Sequence, residues 1–288
     1  MAQRTLALCS GKYIGIETIY TVINGRQINI PEKLKELRAQ SQRNELFCPC
    51  GCGTNLILVA GDKNLREQHF REKPGTGTYE CNMPTEGKTS VDSKIVLKCW
   101  LDDKLESNDI ESRVPIDTVE DTKRKPEFTF LSMENKFAIR YWRTRANVLD
   151  DKLDALAGNL SGIKVVYIVD ESNGGTDGQY PEALMKLQDR QNFCLLLSIQ
   201  EAEYDKACLK AVFYEKDLDG LWKESVFAEG ELRDFSIAHN EIIYAGNTLE
   251  QLLSAAKANF YNEQRIEKER RAEQERLRAE YIRRMQEE

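Results

Sequence analysis

The run Cys48-Pro49-Cys50-Gly51-Cys52-Gly53 constrains this chain more than any other stretch, because it sets three thiols within five residues. Zinc takes four soft or borderline ligands at tetrahedral corners, and thiolates suit it well. His69, one of only two histidines, and Cys81 follow in the same segment. Residues 47–86 are heavily punctuated by glycine and proline and look too small and irregular to fold on an apolar core alone. A bound metal supplies the missing stabilisation. The expected zinc ligands are Cys48, Cys52, His69 and Cys81. Cys48 and Cys50 are not expected to share the ion with Cys52 as well. Cys52 is preferred because Gly53 directly after it lets backbone amides turn towards the thiolate, and Cys50 is the alternate ligand. Buried, unligated thiols are the plain alternative. A closed structural site is expected over a catalytic one. No carboxylate in the cluster is obviously placed to activate water, and three thiolates put heavy negative charge on the ion.

The opening residues carry too short an apolar run for a signal peptide. No stretch approaches the about 20 apolar residues that a membrane helix needs. A cytoplasmic protein without a membrane partner is therefore expected, its cysteines thiols or metal ligands rather than disulfides. Cys9, Cys99, Cys194 and Cys208 stand in apolar or amphipathic stretches, as small hydrophobes. The net charge of −7 argues against indiscriminate coating of nucleic acid. It leaves room for a local basic groove, because binding follows the local field.

Hydrophobic periodicity and turn residues organise the rest. β-branched runs at 14–22 and 27–30 flank Asn24-Gly25, a hairpin signal. Pro31 opens a helix through about Gln42, with Leu34 and Leu37 on one face. Beyond the cysteine segment come a helix at about 90–105 and strands at about 109–116, 126–131 and 136–142. A helix at about 147–157 leads to a strand at 163–169 and, after a glycine-rich loop and a short helix, another at 193–198. The order is αβββαβ. A second β unit with a turn at Asp219-Gly220 follows, and Thr248 with Gln251 resembles a capping box. Residues 262–288 alternate acids and bases without glycine or proline, the pattern of a long charged helix. The expected architecture is α+β or α/β. It divides into an N-terminal hairpin and helix (1–44), a zinc module (45–86), an α/β domain (87–200), a β/α extension (201–261) and a helical tail (262–288). His239, near no nucleophile, is expected to be an ordinary packed or surface histidine.

Several pieces together resemble the competence protein CoiA-like family. They are Phe47-Cys48-Pro49, Cys52-Gly53, His69-Phe70-Arg71, Cys81, Arg124-Lys125-Pro126-Glu127 and Phe137-Ala138-Ile139-Arg140-Tyr141-Trp142. The resemblance covers roughly residues 45–170. It implies a zinc module followed by a nuclease-like domain of the PD-(D/E)XK superfamily, an Mg²⁺-dependent DNA endonuclease if active. The departures matter. Glu72 stands where the family has Ala or Arg before a second histidine, and Thr89-Ser90-Val91-Asp92-Ser93 lacks the usual Glu-Ser start and histidine. Arg140 and Trp142 occupy the positions of a metal-binding Glu and a catalytic Gln or Lys.

Such nucleases hold Mg²⁺ with two or three carboxylates. Here Glu127, with Glu111 from the preceding strand, is what remains, so a degenerate active site is expected. A migrated ligand such as Glu134 or Asp150 keeps the active endonuclease as the alternative. The basic concentration Lys123, Arg124, Lys125, Lys136, Arg140, Arg143 and Arg145 suggests retained nucleic-acid binding. Arg124, Lys125, Arg140 and Arg143 would contact phosphates, and Trp142 or Tyr141 would stack on a base. Pairing of these bases with nearby acids on a solvated surface is the bland counterpart. A third reading is a scaffold that meets a protein partner or another copy through residues 262–288. Assembly unchanged in a form lacking that tail would remove it.

Overall fold

The computed structural model describes residues 4–24, 26–59, 68–76, 88–105, 109–115, 127–143, 148–175, 179–199 and 204–287. Strands β1 (Leu6–Cys9) and β2 (Lys12–Gly15) form a hairpin, and β3 (Tyr20–Ile23) and β4 (Arg26–Asn29) form another. Asn24 turns the second with φ +52°. The single strand expected over 14–22 is interrupted by a 3₁₀ turn at Ile16–Ile19. Gly15 explains the break. A Cβ there would lie 1.6 Å from Glu17 Oε1, so the bare glycine lets the Glu17 carboxyl fold back. The Thr18 hydroxyl donates to the Gly15 carbonyl at 2.7 Å and closes the turn.

Helix α1 (Pro31–Gln42) starts at Pro31 and buries Leu34 and Leu37, as its spacing predicts. Strands β5 (Leu56–Val59) and β6 (His69–Glu72) pair antiparallel. Helix α2 (Lys88–Lys104) follows.

A seven-stranded sheet then forms in the order β7 (Glu111–Pro115), β8 (Glu127–Ser132), β9 (Phe137–Trp142), β10 (Lys164–Asp170), β11 (Cys194–Ser198), β12 (Cys208–Lys216) and β13 (Trp222–Glu231). Strands β7–β9 are antiparallel, β9–β11 parallel and β11–β13 antiparallel. Helix α3 (Val148–Ser161) makes the crossover from β9 to β10, and α4 (Glu182–Gln191) that from β10 to β11. The αβββαβ order is present as α2, β7–β9, α3 and β10. The strands after residue 200 do not form a separate hairpin unit, because β12 pairs directly with β11 and continues the same sheet. Val166, Tyr167, Ile168 and Val169 of β10 are all buried, as a strand covered on both faces requires.

A small meander, β14 (Phe235–Ala238), β15 (Glu241–Tyr244) and β16 (Asn247–Thr248), leads into α5 (Leu249–Glu287). The capping box forms reciprocally: Thr248 N donates to Gln251 Oε1 at 2.9 Å, and Gln251 N donates to Thr248 Oγ1 at 3.2 Å. The charged tail is the outer part of this one helix, and Ile266, Leu277, Tyr281, Ile282 and Met285 are exposed along it. Among the described residues, no helix is long and apolar enough to cross a membrane.

One core joins these parts. It includes Ala7, Ile16, Leu46, Leu56 and Phe70 from the N-terminal region, Ile95–Leu97 and Trp100 of α2, Ile139 and Ile168 of the sheet, and Leu253 of α5. Even the small cysteine segment thus contributes to a shared apolar interior. Trp100 is fully buried, and its indole N–H donates to the Phe235 carbonyl at 2.9 Å. Trp100→Phe should lower the stability measured by denaturant titration by about 1–3 kcal/mol, because it strands that buried carbonyl. An unchanged midpoint would show that the tie is unimportant.

Candidate functional site

The cysteine loop hangs from a bridge between Phe47 and Asn55. Cys48 N donates to the Thr54 carbonyl at 2.8 Å and Gly51 N to the Cys48 carbonyl at 3.2 Å. Gly51 and Gly53 both take positive φ, +80° and +76°, which lets so short a loop turn its sulfurs inward. The Sγ atoms of Cys48, Cys50 and Cys52 all lie within 4.8 Å of one another, and those of Cys48 and Cys50 are 3.2 Å apart. Two sulfurs bound tetrahedrally to one zinc at about 2.3 Å each lie about 3.8 Å apart, so the three sulfurs are near the spacing that one ion would need. Three soft donors in a tight loop fit zinc chemically.

The expectation that Cys50 and Cys52 would exclude each other is therefore corrected. The two positive-φ glycines bend the loop enough to bring all three sulfurs together. His69 does not join the group. It is buried at the start of β6, opposite Val59. Cys81 lies outside the described residues. A metal held here by these three sulfurs would pin the loop upon itself.

A contributor without a motif stands beside the cluster. Arg4 is buried, and its Nη1 donates to Cys48 Sγ at 2.7 Å while Nη2 pairs with the Glu72 carboxylate. Backbone bonds between Arg4 and Phe70, at 3.0 and 2.9 Å, hold it in place. A guanidinium beside a sulfur ligand would help to offset the negative charge that three thiolates place on a metal ion. Glu72, a departure from the family pattern in sequence, is thus the residue that orients Arg4. The partners are far apart in the chain, so no local sequence signal marks them.

The second candidate site is a cavity of about 220 Å³ where β7, β8 and β9 meet α2 and the N-terminal region. Its lining includes Thr5, Glu17, Lys94, Arg113, Glu127 and Arg140. Arg113 and Thr129 fall between the paired positions Ser112–Phe130 and Val114–Phe128, outside the ladder. Arg113 has φ +51°, a left-handed conformation costly for a non-glycine residue. Its Nε pairs with Glu127 Oε1 at 2.6 Å. Arg140 Nη1 donates to the Glu127 carbonyl at 2.6 Å, and the Tyr141 amide donates to Thr129 Oγ1 at 3.0 Å. Side-chain bonds thus stand in for strand pairing where β8 and β9 part.

Glu127 and Glu111, expected together, are separated. Glu111 pairs with Leu131 and Glu127 with Pro115, four positions along the ladder, or about 13 Å at the strand rise. Glu111 is exposed and does not line the cavity. The carboxylate that does join Glu127 there is Glu17, which is buried. Burial raises its pKa above the ordinary value, opposed by the Ser112 hydrogen bond and by the charges of Lys94 and Lys98. Sequence offered one faint signal of it, a lone acid inside an apolar run after a glycine.

Trp142 and Tyr141 are not available for base stacking. Trp142 is buried and stacks on Tyr167, ring centroids 5.3 Å apart and planes at 6°, because β9 is an interior strand covered on both faces. Tyr141 donates its buried hydroxyl to Ser93 Oγ at 2.7 Å. Arg140 lies over the Trp142 ring at 5.6 Å. Arg143 is tied to Asp170 at 3.2 Å and to the Ser172 hydroxyl at 2.9 Å. Lys136 is exposed in the turn between β8 and β9, away from this cavity. Arg124 and Lys125, with Lys123 and Arg145, lie outside the described residues. His239 is an exposed turn residue. Cys9, Cys99 and Cys194 are buried as expected, but Cys208 is exposed at the start of β12.

Comparison with known proteins adds no constraint: no family model, no curated protein and no solved structure matches the chain.

The Arg4 contact yields a direct test. Arg4→Ala should weaken zinc binding about 10- to 100-fold in competition with a chromophoric chelator, the range for residues that support metal ligands. Unchanged affinity would assign Arg4 to packing alone.

Proposed function

We propose that this chain is a nucleic-acid-binding or regulatory protein on a nuclease-like fold resembling that of CoiA-like proteins, with a structural zinc and a lapsed catalytic centre. The observation that carries this reading is the surroundings of Glu127. Its carboxylate is paired with Arg113, its carbonyl accepts from Arg140, and Glu111 is elsewhere. Magnesium needs several oxygen ligands at close range. Guanidinium groups cannot coordinate it and repel it. The same cations suit a phosphate, which arginine binds with paired N–H donors. Buried Glu17, its pKa raised, favours the neutral acid over a metal-binding carboxylate.

A second reading rests on one observation. Glu17 and Glu127 line the same cavity, together with Lys94. These could form a migrated carboxylate pair and amine, and the protein would then be an Mg²⁺-dependent DNA endonuclease.

Both readings are tested by incubating the protein with linear, circular and single-stranded DNA and Mg²⁺ or Mn²⁺, following cleavage and gel retardation together. Retardation without cleavage is expected. Arg140→Ala should reduce the slope of log K against log salt by about 1, the loss of one phosphate contact. Metal-dependent cleavage abolished in Glu127→Ala or Glu17→Gln would establish the endonuclease instead. Neither cleavage nor retardation at low salt would remove nucleic acid from the account.

A further inference from the structure

We propose that a cleft beside the first half of β10 binds a nucleoside through the donor–acceptor edge of its base. The inference is independent of the nucleic-acid reading above. The cleft shares no lining residue with the cavity beside Glu127.

The site begins with a gap in the sheet. Strand β10 pairs with β9 from Lys164 onwards, but its pairing with β11 starts only at Ile168, opposite Leu195. Peptide groups at alternate residues of an interior strand face opposite neighbours. Tyr167 shows which residues face the β11 side. Its N–H donates to Gln191 Oε1 and its carbonyl accepts from Gln191 Nε2, both at 3.0 Å. Lys164 N donates the other way, to the Lys136 carbonyl just before β9, at 2.9 Å. Val165 therefore turns its N–H and carbonyl to the β11 side. Among the described residues, none bonds to either group. Val165 is half-buried, and backbone groups away from bulk water are almost always paired.

A cavity of about 310 Å³ opens at this place. That volume falls at the lower end of the roughly 300–1,000 Å³ of small-molecule pockets. Val165, Gln191 and Asn192 line it, and the buried side chains of Ile163, Phe193, Ile242 and Leu249 give it apolar walls. Apolar walls with one polar pair between them suit a flat ring that hydrogen-bonds along one edge.

Gln191 shows what fits the open pair. Its carboxamide carries an acceptor and a donor on one carbon, and these meet the N–H and carbonyl of a single residue. The edge of a nucleobase presents the same acceptor beside a donor. An extended peptide is a poorer match, because it pairs with alternate residues along a strand edge. The neighbours that it would need are taken. Gln191 holds Tyr167, and Ile163 N donates to the Gly158 carbonyl at 2.8 Å. A single open rung accepts a small planar group.

The test titrates adenosine, guanosine, cytidine and uridine separately into the full-length, zinc-loaded protein by calorimetry. At least one should bind, once per chain. Its analogue with the donor nitrogen of that edge fully methylated should bind about tenfold more weakly, the loss of one hydrogen bond. Val165→Pro removes the N–H without breaking a bond within the chain and should weaken binding likewise. Asn159→Trp, at an exposed lining position, should block the cleft. Both variants are checked for folding by circular dichroism. No binding of any nucleoside at millimolar concentration would overturn the inference, and so would binding unchanged by Asn159→Trp or by methylation. A capped dipeptide that binds as tightly as the best nucleoside would assign the cleft to peptide groups and overturn the claim for a base. DNA retardation is read separately, so nucleoside binding without it leaves this site standing while the nucleic-acid reading fails.

Discussion

The packing of helix α2 is the constraint on which the rest of the structure depends. From Ile95 to Leu101 every residue is buried, including Lys98 and the fully enclosed Trp100. Such a helix can exist only with protein around it. On one side it meets the 3₁₀ turn that carries Glu17 and strand β3; on another it reaches Tyr204 and, through the Trp100 indole, the meander after β13. Helix α2 is thereby an organising strut between the N-terminal region and the rest of the core. The cavity beside Glu127 lies where α2 and the N-terminal region meet the unpaired ends of β8 and β9.

That arrangement decides what the cavity can do. A metal-dependent site needs carboxylates converging on one point, and the ladder keeps Glu111 well away from Glu127. The residues that do converge are two arginines, a lysine, hydroxyls and a buried acid. The cysteine loop stands apart from this chemistry. Its three sulfurs gather beside the Arg4 guanidinium, and the next residue, Thr5, lines the cavity.

Local chemistry was legible in the sequence wherever the determinants are neighbours in the chain. Pro31 marked the start of α1, Thr248 and Gln251 marked the start of α5, and alternating apolar runs marked the strands and their order. The cysteine loop was visible for the same reason. What escaped was contact between distant segments. Nothing near Arg4 announces that it will reach Cys48, and period-two alternation says that Arg140 and Trp142 share a face without saying that Trp142 is buried there. The Glu17 turn escaped because β-branched neighbours favour a strand and only tertiary burial of its carboxyl breaks it. The mutual exclusion expected of Cys50 and Cys52 failed because two glycines in left-handed geometry bend the loop more tightly than ordinary backbone allows.

The central claim is that cations have replaced metal-binding chemistry at Glu127. It is tested most directly by electron paramagnetic resonance of Mn²⁺ titrated into the zinc-loaded protein. The account predicts a free-ion signal throughout, with no stoichiometric site that Mg²⁺ displaces. A single bound Mn²⁺ per chain, displaced by Mg²⁺ and lost in Glu127→Gln, would contradict it.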